Sequence, residues 1–299
     1  MKKLTYALVV FTSILFLGLT FSYNPLMANP TDELDEEKEV YLNILVVNKE
    51  LYKMTEKLVG SKHNVEYLFT NDKEVKEFIV NENIINNISN MDLFIYNGAG
   101  YEPWINKVID SVKNSNVGLI NASRGIRLIT NELTEETNEN PYYLLGFNEY
   151  KIALYNIKTA LQERDIKNRG YYEENYNNIV KNLDEFLSKE KEELSSYENY
   201  SITTNTDKFD YLFRSIGIQV NKLKDNIDEI NENRVEKNIF IYDKDNENLE
   251  EIRNNMKNEY IYIGLGSDED NTILTKNLSE IVEVIKNKSN YWFLVRYKI

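Results

Sequence analysis

DLFIYNGAGYEPWINKVID, residues 92–110, carries a strand, a turn and a helix in one segment. Leu93, Phe94, Ile95 and Tyr96 end abruptly in Asn97-Gly98-Ala99-Gly100, and an amphipathic stretch follows from Glu102-Pro103-Trp104. A short unbroken apolar run marks a strand buried on both faces. Glycine permits the left-handed backbone of a tight turn. Proline suits a helix's first turn, where its missing N–H would have had no partner. In an open α/β sheet ligands sit outside the carboxyl ends of the strands, so this turn is expected to wall a cleft. Backbone geometry accounts for the glycines by itself; Asn97 is the residue here that is a candidate to touch a ligand.

The same alternation extends in both directions. Strands are predicted at 43–47, 65–69, 93–96 and 117–120, with helices at 51–59, 79–88 and 104–112 between them. Strands separated by helices imply a mostly parallel sheet with right-handed crossovers. After Pro141 the pattern changes to a helix over 149–164 and a second over 169–197. In the latter, Tyr172, Tyr176, Ile179, Leu183, Phe186, Leu187 and Leu194 fall near a 3.6-residue period with no proline to interrupt them. One helix of roughly 25 residues, about 37 Å long, reads as a strut between two α/β regions. Alternation then resumes, with strands at 201–204, 238–242 and 259–265 and helices at 207–215, 249–256 and 272–286. The final apolar run, YWFLVRY at 291–297, is predicted as a strand because its residues are β-prone. The expected fold class is α/β: an N-terminal lobe over 41–148, connecting helices over 149–198 and a C-terminal lobe over 199–299.

Residues 1–28 read as an export segment. Lys2 and Lys3 precede an uncharged apolar run over 4–21, and polar residues follow Ala28. Two readings stand. In one, a signal peptide is cleaved between Ala28 and Asn29, with Leu26 a poor residue for that site. In the other, an uncleaved N-terminal membrane anchor remains, the run being just long enough to span a bilayer, with its lysines on the cytoplasmic side. Either way the rest of the chain works outside the cytoplasmic membrane. Residues 29–40, containing TDELDEEKE, form an acidic tether.

Composition excludes much chemistry. The 299 residues include no cysteine and one histidine, His63. Disulfides, thiolate catalysis and cysteine-linked lipid are thereby ruled out, and a nitrogen- or sulfur-rich zinc site cannot be assembled. A net charge of −14 repels polyanions and argues against a nucleic-acid partner. No nucleophile–base pair or phosphate-binding glycine loop appears, so an enzyme is not expected. Asp243–Asn248 (DKDNEN) lacks the glycine and distal glutamate of a calcium loop. His63, in the GSKHN turn, reads as an ordinary surface-turn histidine.

The strand, NGAG turn and Glu-Pro-Trp helix together resemble the zinc and manganese solute-binding proteins of bacterial ABC importers. Asn121-Ala122-Ser123-Arg124-Gly125-Ile126 is similar to that family's Asp-Ala-Ser-Lys-Gly-Ile turn, and Asn140-Pro141-Tyr142 to its Asp-Pro-His segment. Arg169 to Asp184 resembles the start of its linking helix. TNTDKFDY, residues 204–211, resembles the segment written Thr-Ser-His-x-Ala-Phe-x-Tyr. The resemblance covers most of 42–286. It implies two lobes joined by a rigid helix, a metal held between them, and an ABC permease as membrane partner.

The ligands implied by the resemblance do not carry over. Its Asp-Pro-His histidine falls on Tyr142, and its C-terminal-lobe histidine or glutamate falls on Thr206. No histidine lies near Val75, where a first-lobe ligand is expected. The final carboxylate falls on Asp268 in IYIGLGSD. One carboxylate and two hydroxyls make a poor zinc site. Each residue also has a plainer reading: Tyr142 and Tyr143 as packing, Thr206 as a helix cap, Asp268 as a solvated acid. Zinc or manganese is implied by resemblance only. Two functions follow: a metal-type solute receptor with a degenerate site, carrying Asn97, Tyr142 and Thr206 in its cleft and Asp268 as the remaining metal ligand, or a scaffold-only binding module for a non-metal solute or a protein partner.

Overall fold

Two four-stranded sheets, each wholly parallel, are built with the same strand order. The computed structural model describes residues 40–133, 138–196, 200–223, 237–255, 260–266 and 272–296, all but Val40 within the unit Tyr41–Ile299. The export segment, the acidic tether up to residue 39, and Asp268 lie outside the described residues. Among those described, no helix is long and apolar enough to cross a membrane.

The first sheet contains β1 (Asn43–Asn48), β2 (Asn64–Phe69), β3 (Leu93–Tyr96) and β4 (Gly118–Asn121) in the order β2-β1-β3-β4. Its strands are joined through α1 (Lys49–Val59), α2 (Asp72–Glu77), α3 (Glu82–Ser89) and α4 (Ile105–Val112). Strand β1 explains the apolar runs. Ile44 and Val46 face one core and Leu45 and Val47 the opposite one, so both faces of the sheet are covered. Helix α1 is set by Asn48, whose side chain accepts the Leu51 N–H, and ends where Gly60 adopts φ +57°.

The connection runs through a 3₁₀ turn at Tyr143–Leu145, α5 (Phe147–Arg164) and α6 (Arg169–Ser195). Helix α6 packs against α5 and α1 and against α9 (Ile273–Arg296) of the second half. The second sheet contains β5 (Tyr200–Thr204), β6 (Val220–Lys222), β7 (Lys237–Asp243) and β8 (Ile261–Leu265) in the order β6-β5-β7-β8, with α7 (Asp210–Ile216) and α8 (Leu249–Asn255). One hydrophobic core runs from Ile44 and Leu93 through Tyr150 and Ile157 to Ile202, Ile239 and Leu278. The two halves are therefore joined by apolar packing as well as by the strut.

Three expectations are corrected. Residues 291–296 are helical: α9 continues to Arg296. Extending an existing helix needs no new nucleus, and no proline or glycine interrupts 273–296, so β-propensity loses. The helix placed at 79–88 begins later, at Glu82, and a further helix, α2, precedes it. Helix α2 is short and polar with Val75 as its one buried residue, too little for a periodic signal. His63 is buried, not on the surface. Its Nδ1 accepts the Leu42 N–H at 3.4 Å, leaving Nε2–H to meet the Tyr172 hydroxyl at 2.5 Å, which in turn donates to Asp165 Oδ2 at 2.5 Å. Tyr172 lies on α6 and Asp165 at the end of α5, so the single imidazole ties the β1–β2 edge to the connecting helices. Desolvation holds its pKa below the ordinary histidine value.

Candidate functional site: an interlobe cleft around Lys208

A parallel sheet opens a crevice where the chain leaves adjacent strands in opposite directions. Here that occurs between β1 and β3 and again between β5 and β7. A cavity of about 460 Å³ lies at these strand ends, lined by residues of both halves, among them Asn48, Asp72, Asn97, Tyr142, Lys208 and Asp245.

The β1–β3 crevice is built by the NGAG turn. Gly98, Ala99 and Gly100 adopt φ of +71°, +53° and +75°. A Cβ on Gly98 would overlap Asn121 Oδ1 and lie 2.7 Å from Ser123 Oγ, so glycine is required twice over, by conformation and by space. Glu102 clamps the turn: its two carboxylate oxygens accept the Asn97 and Gly98 N–H groups at 2.7 and 2.9 Å. Burial raises its pKa to about 7. Trp104 then fixes α2, donating its indole N–H to Val75 O at 2.8 Å and meeting Phe69 and Phe78 edge-on. Asn71 caps α2 by accepting the Glu74 N–H, which places Asp72 in the first turn, facing the cleft. The Tyr101 hydroxyl donates to Asp72 Oδ1 at 2.6 Å.

On the β5–β7 side the backbone around Lys208 is pinned from several directions. Thr206 Oγ1 accepts the Lys208 N–H at 3.2 Å. Asp207 Oδ2 accepts the Leu133 N–H, and its carbonyl accepts Asn140 Nδ2 at 2.5 Å. Held this way, Lys208 is only 5% exposed. Its Nζ lies 2.9 Å from Asp243 Oδ2, 3.3 Å from Asp72 Oδ2 and 3.8 Å from Asp245 Oδ2, and 5.5 Å from the centre of the Tyr142 ring. Asp72 Oδ2 makes no hydrogen bond and faces the ammonium as a bare charge. Burying an ammonium costs several kcal/mol, which nearby carboxylates offset. Desolvation pushes the Lys208 pKa down, Asp72 and Asp243 push it up, and the carboxylates prevail, holding it above the ordinary lysine value.

Of the residues singled out from sequence, Asn97 and Tyr142 line this cavity. Asn97 is 3% exposed; its Oδ1 accepts Asn48 Nδ2 at 3.1 Å and its carbonyl accepts the Tyr143 hydroxyl at 2.8 Å. Tyr142 stands edge-on to Tyr101, with desolvation raising its phenol pKa. Thr206 is engaged in its own turn and is not among the cavity's described lining residues. Sequence reading missed Lys208 and Asp72. For Lys208 a signal existed: it stands where the Thr-Ser-His-x-Ala-Phe-x-Tyr pattern has alanine, a charge at a strand-end turn. Asp72, in a polar stretch, gave none.

Among the described residues, no three histidine, aspartate or glutamate side chains are grouped as a metal-ion site. The donor set fits zinc poorly, because the one imidazole is committed to Tyr172 and Asp165 away from the cavity.

Residues 44–239 match the family described as zinc-uptake complex component A, periplasmic, and the chain belongs to that family. The high-affinity zinc uptake system protein ZnuA of Bacillus subtilis is 24% identical over 191 residues, covering 60% of this chain and 59% of that protein. A metal ABC transporter substrate-binding lipoprotein of Lactococcus lactis is 26% identical over 196 residues, 63% of this chain and 62% of its own length. The match thus spans less than two thirds of these relatives. The manganese ABC transporter substrate-binding lipoprotein PsaA of Streptococcus pneumoniae is 24% identical over 73% of this chain and 70% of its own. The fold is that of the Zn(II)-bound ZnuA-like domain of Streptococcus pneumoniae AdcA, with a TM-score of 0.67 at 17% identity, covering 82% of this chain and 98% of that one. It is also that of the solute-binding protein FpvC of Pseudomonas aeruginosa in complex with Mn²⁺, with a TM-score of 0.67 at 18% identity, covering 83% and 100%.

Proposed function

We propose that this protein is the extracytoplasmic solute-binding component of an ABC importer, kept on the metal-receptor scaffold but without a coordination set for capturing zinc or manganese. It is a receptor and not an enzyme, and its membrane partner is an ABC permease. Family membership and the paired-sheet cleft support the receptor role. The observation that carries the degenerate site is the position of Lys208, an ammonium among the carboxylates of both halves. That same position favours the second reading, a cleft that takes a non-metal solute or a protein partner, because a lysine there competes with any incoming metal ion. Asn97 and Tyr142 are the lining residues proposed to touch that solute.

Export rests on residues 1–28. With no cysteine in the chain, retention at the membrane rests on that apolar run and not on a thioether-linked lipid. N-terminal sequencing of the exported protein distinguishes an Asn29 start from an intact Met1. The central test is calorimetric titration of the purified protein with zinc and manganese. The expected outcome is binding no tighter than micromolar; stoichiometric sub-micromolar capture of either metal overturns the degenerate-site reading.

A further inference from the structure

Resting on that receptor reading, we propose that Lys208 is the resident occupant of this cleft: its ε-ammonium fills a cation site formed by Asp72, Asp243, Asp245 and the face of Tyr142, so that the chain supplies its own cation. The geometry is that of a bound ammonium, not of a coordinated metal ion. Carboxylates from both halves, Asp72 on α2 and Asp243 and Asp245 at and after the end of β7, converge on one nitrogen at 2.9–3.8 Å, and an aromatic face stands 5.5 Å away. The ammonium donates to Asp243 Oδ2 at 2.9 Å, while Asp72 and Asp245 act on it by charge at 3.3 and 3.8 Å. The backbone at the base of the tether is pinned, because Thr206 Oγ1 accepts the Lys208 N–H and the adjacent Asp207 carbonyl accepts Asn140 Nδ2. An attached group competes at an effective concentration of order millimolar or higher, so free cations at trace levels do not displace it. Asp72 comes from the first turn of α2 in the first half and Asp243 from the end of β7 in the second, so the ammonium also joins the two halves in the manner of a captured ion. The ligand class of the site is a small hard cation or a primary amine, the species that accept oxygen donors without imidazole.

The test removes the tether and returns the cation from solution. In Lys208→Ala, manganese affinity is expected to rise at least about tenfold over the wild type, as the vacated carboxylates recover a partner. The variant's Tm is expected to fall by several degrees and to recover in tens of millimolar ethylammonium, which leaves the wild-type Tm unmoved. If the variant and the wild type respond alike to both cations, the proposal is overturned. Should the variant not fold, the wild type decides by itself. Acetic anhydride is expected to modify Lys208 at least about tenfold more slowly than Lys181, whose pairing with Glu185 on α6 is exposed and solvent-screened, because the Lys208 ammonium is buried among its carboxylates; equal rates overturn the proposal. Metal capture by the wild type tests the degenerate-site reading, whereas the difference between variant and wild type tests the tether, so the two failures are distinguishable.

Discussion

The two crevices of this protein occupy equivalent places, between the first and third strands of sheets with the same order, yet they are filled by opposite chemistry. The β1–β3 crevice closes with a neutral amide pair, Asn48 to Asn97 at 3.1 Å, and a turn clamped by Glu102. The β5–β7 crevice closes with an ion pair, Lys208 to Asp243 at 2.9 Å, and that pair reaches across to Asp72 of the other half. A neutral amide pair satisfies itself within one lobe. A charge in a poorly solvated gap needs compensation from every side, and so it binds the lobes together. One architecture, used twice, thus yields one crevice closed by neutral amides and one closed by charge, and both line the same cavity.

Breaking the charged crevice is expected to have the largest effect. Asp243→Asn removes the nearest carboxylate and leaves Asn246 Nδ2 and the Asp245 N–H with a weaker acceptor. Loss of a partner from a buried pair costs about 3 kcal/mol, with Asp72 and Asp245 limiting the damage. A lowered urea midpoint at unchanged slope is the expected result; a midpoint equal to the wild type's would mean the ion pair contributes no stability. Breaking the neutral crevice costs less. Glu102→Gln replaces one of two acceptor oxygens with a donor facing a backbone N–H, about 1–2 kcal/mol. Hydrogen exchange is expected to quicken at Asn97 and Gly98 first, and exchange unchanged at those amides would remove Glu102 from the clamp.

The effect that separates the crevices most cleanly is pH dependence. Glu102 has a folded pKa of about 7 against an ordinary 4.5, so its contribution is full below about 4.5 and lost as pH rises through 7. Lys208 is held above 10.5, so its contribution is full below that value and lost as pH rises through its folded pKa, on the alkaline side. His63 runs the other way: its lowered pKa lets the unfolded chain take the proton first, and stability falls as pH drops through 6.5. Subtracting the Glu102→Gln stability profile from the wild-type profile is therefore expected to leave a single step between about 4.5 and 7, and a flat difference would refute the shift. An alkaline loss that disappears in Lys208→Ala assigns the second step to the β5–β7 crevice.

Much of the scaffold was legible because its signals are local. The apolar run Leu93–Tyr96, the forced turn at Gly98 and the long period of α6 each announce themselves within a few residues, and the structure places an element at each. Errors came where context outweighs local preference. Residues 291–296 are β-prone but extend a helix already formed, and α2 is too short and polar to show a period. His63 sits in a turn of surface-like composition, yet Tyr172 and Asp165, more than a hundred residues away in sequence, fold over it.

By itself, the sequence determined the alternation of strands and helices, the strut, and the scarcity of nitrogen and sulfur ligands, because periodicity and composition are properties of neighbouring residues and of counts. Only the tertiary structure decided what fills the cleft. Asp72, Tyr142, Lys208 and Asp243 belong to four separate segments, and nothing local in any of them specifies the others. Their meeting is a consequence of two sheets presenting their strand ends to one another, where a desolvated ammonium and its carboxylates must find each other because neither is stably buried alone.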